Sequence, residues 1–444
     1  MSMGATGLPI RRRGKPYCGK PYCGSVNCGT PESVLPCKFM RSPAKYHAPM
    51  GKLMPTNAPH TSAKPLIMAA LALALTACGT NSPVVCAVPA GSSSGTCTCG
   101  SGTEGCPVQP GPEFLYAVSS GQVLAFNIDH TSGALTAIGS MPGPTISLGL
   151  AAVDNQFLFA SDTHNAQLDG FSINQTTGAL TALAGSPFST GTLSFPGDLA
   201  SPAGSSLLYA ADSGTVDAFT ISAAGVPTAL SGSPFVPEIN FALTVDPAGK
   251  FLYASDDDPP GGVFAFTIDS MGALTAVPDS PFAIPGQAAP DSLPLGIVDA
   301  GSYVYAALSN TNQIAAFSIV SGTGALTPVP GSPFSAGTNP TVVILAGNFL
   351  YAINSSDRTI DGTISGYSIN SANGVLTPLS GSPFAIAAIS LAADYFGKYL
   401  YVNEPTGIQA FSIDPTSGAL TPLSGLPLPA SATPLLTVVQ ISPP

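Results

Sequence analysis

The chain has 444 residues, 45% of them apolar and only 8% charged, with 48 Gly, 45 Pro and no Trp. Long helices need few Gly and Pro, so they are excluded, and so is disorder, because the apolar content is enough to bury a core. The net charge of −11 is divided between +8 in residues 1–112 and −19 in residues 113–444, and a body that acidic repels nucleic acid and anionic headgroups.

In chain order, residues 1–49 come first. They hold Arg11-Arg12-Arg13 and a repeated Lys-Pro-Tyr-Cys-Gly unit, with Cys18, Cys23, Cys28 and Cys37 spaced unlike the paired C-x2-C of zinc sites. The arginines lie too far from the next apolar run to serve it, so 1–49 reads as an upstream mis-start or a removed leader. Residues 50–77 read as a signal peptide. Met50 or Met54 would start it, Lys52 and Lys64 charge its front, and Pro65 to Ala77 is an apolar run too short to span a bilayer comfortably. The run ends in Leu75-Thr76-Ala77-Cys78-Gly79, which resembles the lipobox of bacterial lipoproteins. The resemblance implies that Cys78 becomes a lipidated N-terminus, whose several acyl chains make a stable membrane anchor. Gly79, rather than Asp, after that Cys implies the outer membrane, facing periplasm or cell surface. A chance Cys after a plain apolar run is the alternative.

Residues 78–112 complete a Gly/Ser/Thr/Pro-rich tether with Cys86, Cys97, Cys99 and Cys106. An even number of Cys in an exported segment points to two disulfides, with three connectivities open; a metal clip is the alternative. Gly91-Ser-Ser-Ser-Gly95 and Gly100-Ser-Gly-Thr-Glu-Gly105 satisfy catalytic and nucleotide-binding patterns by letter only, since neither follows a strand or opens a helix.

From 113 to 444 the chain repeats. An aromatic-x-Ile triplet recurs at Phe126, Phe171, Phe219, Phe266, Phe317, Tyr367 and Phe411, at intervals of 44 to 51 residues. Six of the seven are followed by Gly-(Ala/Val)-Leu-Thr; the third has Gly225-Val-Pro-Thr instead. Five then reach Ser-Pro-Phe, beginning at Ser186, Ser233, Ser280, Ser332 and Ser382. Before each triplet lies a run such as Phe114-Leu-Tyr-Ala or Tyr399-Leu-Tyr-Val. With a short inner strand such as Ala242-Leu-Thr-Val, each repeat makes four strands in about 45 residues, which is the arithmetic of a propeller blade. No 3.6-residue stripe supports a helical solenoid. The fold predicted is all-β: a seven-bladed β-propeller of four-stranded blades. Its first repeat begins at the second strand, and the tail Leu436-Thr-Val-Val-Gln-Ile resembles the missing inner strand, so the tail is expected to complete the first blade and close the ring.

The repeats resemble the lactonase-type seven-bladed propellers, the family of bacterial 6-phosphogluconolactonase and the YVTN repeat proteins. The resemblance rests on Tyr399-Leu-Tyr-Val-Asn403, on Asp246-Pro-Ala-Gly-Lys250, on the aromatic-x-Ile strand and on Gly-Ala-Leu-Thr-Pro, over residues 113–444. It implies a lactone hydrolase with charged residues in the central funnel, which here would be His164, Arg358 and Glu404, His164 acting as general base oriented by Asp162.

The loops after the second strands gather most of the reactive side chains. Candidate ligand-binding residues are Asp162, Asp212, Asp256, Asp258, Asn312, Asn354 and Asp357. Arg358, the sole Arg after residue 112, would hold a carboxylate or phosphate, or else pair with Asp357 or Asp361 and shape its loop. Asp256-Asp257-Asp258 lacks the Gly and Glu of a calcium loop and reads as a solvated turn. His130 reads as a solvated hairpin residue. No metal or cofactor is expected. Two functions stay open: a membrane-anchored, monomeric binding scaffold for a glycan, peptide or protein, and a lactone hydrolase.

Overall fold

The computed structural model describes residues 111–235, 242–256, 261–286, 294–355, 362–425, 428 and 435–440. Cys78, Cys86, Cys97, Cys99, Cys106, Asp258, Asp357 and Arg358 lie outside them. The described residues contain no helix and form seven antiparallel sheets, each with a path of four neighbouring strands. The inner strands are Leu150–Val153, Pro196–Ala200, Leu243–Val245, Pro294–Asp299, Pro340–Ala346, Ser390–Ala393 and Leu435–Gln440. Each touches the next in this order, and the last touches the first, so the inner strands line a closed ring.

The closing strand is the one expected from the tail. Leu435–Gln440 pairs antiparallel with Glu113–Ser119, with Val439 opposite Phe114 and Leu435 opposite Val118. Blade 1 therefore takes its inner strand from the far end of the chain and its other three from the near end, which leaves no open sheet edge at the join.

The repeat motifs now have physical jobs. At or next to the start of each blade's second strand, a large side chain packs on the glycine of the following blade's hairpin. The pairs are Phe114 on Gly178, Phe157 on Gly225, Leu207 on Gly272, Phe251 on Gly324, Tyr303 on Gly374, Phe349 on Gly418 and Tyr399 on Gly133. These glycines have φ between +68° and +89°, and a Cβ on most of them would fall inside the neighbouring ring or methyl group. Two residues along the strand, a buried tyrosine hydroxyl donates to the carbonyl of the same glycine. Tyr116, Tyr209, Tyr253, Tyr305, Tyr351 and Tyr401 all do so, at 2.7 to 3.2 Å. Blade 2 has Phe159 at this position, and its neighbour is the divergent third repeat, so that one joint carries the packing without the hydrogen bond.

The fourth strand is three residues long in blades 2 to 7, as in Leu180–Ala182. In five of these the chain then turns through Ser-Pro-Phe. The serine Oγ accepts from a third-strand N–H, as Ser186 does from Gly170 at 2.9 Å. The phenylalanine bridges back to the same strand, as Phe188 does to Leu168. Blade 1 lacks the motif, and its fourth strand runs on to Pro142 through a bulge beside Ala125 and Phe126.

Candidate functional site

Inner and second strands are antiparallel, so the end of every second strand lies on the face where the chain crosses into the next inner strand. Asp162, Asp212, Asp256, Asn354 and Glu404 are the last residues of the second strands in blades 2, 3, 4, 6 and 7. The topology thus gathers them on one face of the ring. It also decides where they point. Alternate residues of a strand face opposite sides of a sheet. The first and third residues of these strands face the following blade, so the sixth faces the preceding one.

What each side chain meets there is mostly the ring itself. Asp212 Oδ2 accepts from the Ser194 backbone N–H at 2.8 Å and from its hydroxyl at 3.1 Å, and Oδ1 accepts from the Phe195 N–H. Ser194 and Phe195 belong to the crossover leaving blade 2. Asn354 Nδ2 donates to Thr363 Oγ1 at 3.0 Å and to Ser365 Oγ at 2.9 Å, and Ser365 Oγ accepts from Gly337 N–H of the crossover leaving blade 5. Gly337 is required there, since a Cβ would lie 2.5 Å from Asn354 Nδ2. Asn312 holds the same crossover: its Oδ1 accepts from Asn339 N–H at 2.8 Å and its carbonyl from Ala336 N–H at 2.8 Å. Asp256 is buried.

Asp162 does not orient His164. Its two carboxylate oxygens accept from the backbone N–H of Asn165 at 3.0 Å and from Asn165 Nδ2 at 2.7 Å, which shapes the turn and leaves His164 exposed on it. Glu404 lies two blades away around the ring. It lines an open groove of about 650 Å³ between blades 6 and 7, together with Gln409, Phe384, Ile386, Phe411 and Leu420. Burial pushes the Glu404 carboxyl above the usual range. His164 is not part of that groove.

Two carboxylates on the third strands escape a reading by motif. Asp169 is paired in register with Ala160, and Asp217 with Ala210. Burial, then the charge of Asp162, pushes Asp169 up to about 6. Asp217 is fully buried and raised by burial; the hydroxyls of Thr192 and Thr215 oppose that, and the charge of Asp212 adds to it. Among the described residues Asp169 Oδ2 and Asp217 Oδ1 have no hydrogen-bond partner. The one sequence signal was an acid where the other repeats place Leu124, Phe264, Ala315, Ser365 or Gln409. Among the described residues, no group of three or more His, Cys, Asp or Glu is placed to hold a metal ion.

Among the described residues, two apolar side chains stand out of this same face. Phe195 is 55% exposed and Ile146 is 52% exposed, each on a crossover. Both loops are held from below, Phe195 by Asp212 and Ile146 by its carbonyl, which accepts from Thr163 N–H at 3.2 Å. On the opposite face His130 is not simply solvated. Its side chain is 27% exposed, and its Nδ1 lies 3.2 Å from Oε2 of the fully buried Glu113.

No protein-family model matches the chain, and no curated protein matches it. Solved structures do. A candidate 6-phosphogluconolactonase from Bacteroides fragilis superposes with a TM-score of 0.61 at 20% identity, over 74% of this chain and 98% of its own. A second from Bacteroides uniformis gives 0.61 at 19%, over 75% and 98%. The periplasmic gluconolactonase of Pseudomonas aeruginosa gives 0.57 at 17%, over 74% and 99%. At these identities the likeness shows a shared β-propeller fold.

Proposed function

We propose that the ring is a binding scaffold which presents a rigid loop face to a peptide, protein or glycan, and that lipidated Cys78 and the tether after it hold the ring at a membrane surface. The observation carrying this reading is Asp212. A catalytic or ligand-binding carboxylate needs free lone pairs in reach of its substrate. Asp212 instead turns both oxygens inward, and the loop it braces carries an exposed phenyl ring. Asp162 and Asn312 are likewise occupied by a turn and a crossover, and Asn354 by Thr363 and Ser365 of its own blade. Exposed apolar groups on braced loops lose little conformational entropy on binding, which favours recognition.

The test is a screen of glycan and peptide arrays with the full chain and with a Phe195→Ala, Ile146→Ala variant. Binding by the wild type that the double variant loses supports the reading. Binding that survives the double variant would refute this face as the contact. For the anchor, metabolic labelling with a palmitate analogue is expected to mark the wild type and spare Cys78→Ala; equal labelling, or none, would remove it.

A second reading rests on the groove at Glu404. Its raised carboxyl suits a general acid, and the fold is shared with proteins described as gluconolactonases. On that reading Glu404 serves as general acid on a lactone held in the groove, and His164, two blades away, takes no part there. Glucono-δ-lactone and its 6-phosphate are the substrates to assay. Turnover in the wild type that Glu404→Gln abolishes would favour hydrolysis over the scaffold; background rates in both would eliminate it.

A further inference from the structure

The ring closes between blades 7 and 1, and that seam contains a pair of groups that neither functional reading uses. Glu113 is the first residue of the second strand of blade 1, immediately before Phe114. The matching residues of the other blades are Gln156, Ser206, Lys250, Ser302, Asn348 and Lys398, so Glu113 is the sole acid at this position. Its side chain is fully buried. Oε1 accepts from Tyr395 N–H at 2.6 Å, in the turn between the first two strands of blade 7. Among the described residues Oε2 has no hydrogen-bond partner, and it faces His130 Nδ1, equally unpartnered, at 3.2 Å. The other ring nitrogen, Nε2, is 3.2 Å from the carbonyl of Gly111, where the described chain enters the ring.

The hydrogen count follows from these contacts. A carbonyl only accepts, so His130 Nε2 carries a proton toward Gly111. A neutral imidazole then has a lone pair on Nδ1, and an ionised Glu113 would set that lone pair against a carboxylate oxygen. One further proton resolves the conflict, placed between Oε2 and Nδ1. We propose that Glu113 and His130 share this single proton as a pH-operated clasp on the ring's closing seam, which tightens when the proton is present and loosens when it leaves.

The groups around the pair make loss of the proton unfavourable. On blade 7, Asp394 repels a charge on Glu113, while Lys398 places its ammonium over the Phe396 ring at 5.4 Å. On blade 1, Asp129 sits beside His130, its carboxylate engaged by Thr131 and Ser132. The hydroxyls of Tyr399 and Tyr401 are already donated to Thr131 and Gly133. Burial first, and Asp394 to a lesser degree, pushes Glu113 up to about 7, with the Tyr395 N–H opposing the rise. A folded-state value above the ordinary 4.5 means the stabilisation is full below 4.5 and is lost as pH rises through about 7. His130 also meets the Phe396 ring edge-on at 5.8 Å, so loosening the pair frees the exposed Tyr395–Phe396 turn.

Hydrogen exchange of the full chain tests the clasp, read on peptides spanning residues 394–399, 435–440 and 111–118 and corrected for intrinsic rates. In the wild type these peptides are expected to exchange about ten-fold or more faster at pH 8.5 than at pH 5.5, since one pKa unit is a factor of ten. The blade 6 hairpin peptide, residues 370–376, which carries no acid, serves as the internal reference and is expected to show no such step. Glu113→Gln keeps an oxygen for Tyr395 and supplies an N–H for Nδ1, so it is expected to hold the protected state at both pH values. His130→Phe removes the acceptor while keeping a ring against Phe396. It is expected to raise exchange at pH 5.5 by about five-fold, the worth of one hydrogen bond. No seam-specific step in the wild type would overturn the proposal, as would a step that persists in Glu113→Gln. If the glutamine variant fails to fold, unchanged exchange in His130→Phe decides against it.

Discussion

The hydroxyl of Tyr401 donates to the carbonyl of Gly133 at 3.2 Å, joining two residues 268 positions apart across the seam between the last blade and the first. The same bond recurs at five other blade joints between residues 62 to 71 positions apart. At the seam one hydrogen bond therefore restrains a far longer loop, and the ring depends on it together with the closing strand.

Tyr401→Phe is expected to lower stability by about 1 kcal/mol, because it leaves a buried carbonyl without its donor. The measure is the denaturation midpoint, with Phe159→Tyr as the converse. That change offers a hydroxyl to the one joint that has none, and its midpoint should equal or exceed the wild type's.

Gly133→Ala is expected to be severe, at roughly 2–4 kcal/mol. Its Cβ would lie 2.3 Å from Tyr399 Cδ1, on a backbone with φ of +70°. Gly301 has φ of +79° but nothing within 4 Å of such a Cβ, so Gly301→Ala should cost only about 1 kcal/mol. Equal midpoint losses for the two would show that backbone strain alone, and not the packed ring of Tyr399, sets the requirement.

Removing residues 435–444 is expected to lower Tm sharply, since it strips the inner strand from blade 1 and exposes the backbone of Glu113–Ser119. An unchanged Tm would mean that the ring does not depend on its last strand.

Stability is expected to fall between pH 4 and pH 7. Asp169 and Asp299 are each raised from 3.8 to about 6 by burial, so both favour the folded state when protonated and lose that contribution as pH passes 6. Thermal melts of Asp169→Asn and Asp299→Asn should each show a shallower decline than the wild type. Parallel curves would contradict the assignment.

Much of the architecture was legible because it repeats. Seven aromatic-x-Ile strands, the Leu-Tyr strands before them and the tail at Leu436 were enough to count the blades and foresee the closure, since each motif encodes a local strand and turn. Tyr116 and Gly178 could be read as recurring letters, but not as partners, because their contact crosses from one blade to the next. The candidate site was less legible for the same reason. Asp212, Asn312 and Asn354 were recognisable as polar residues on loops of one face. Strand parity then turns Asp212 and Asn354 toward the preceding blade; crossovers engage Asp212 and Asn312 directly, and Asn354 is taken up by Thr363 and Ser365 of its own blade. His130 reads as a lone turn residue because Glu113 lies seventeen positions before it and Phe396 of the last blade reaches it only when the ring is shut. Sequence alone determined the strands, their number and their order, which follow from period and turn chemistry within each repeat. The tertiary structure alone decided which side chains are spent on holding the ring and which are left to meet a partner, because that depends on contacts between repeats that no single repeat contains.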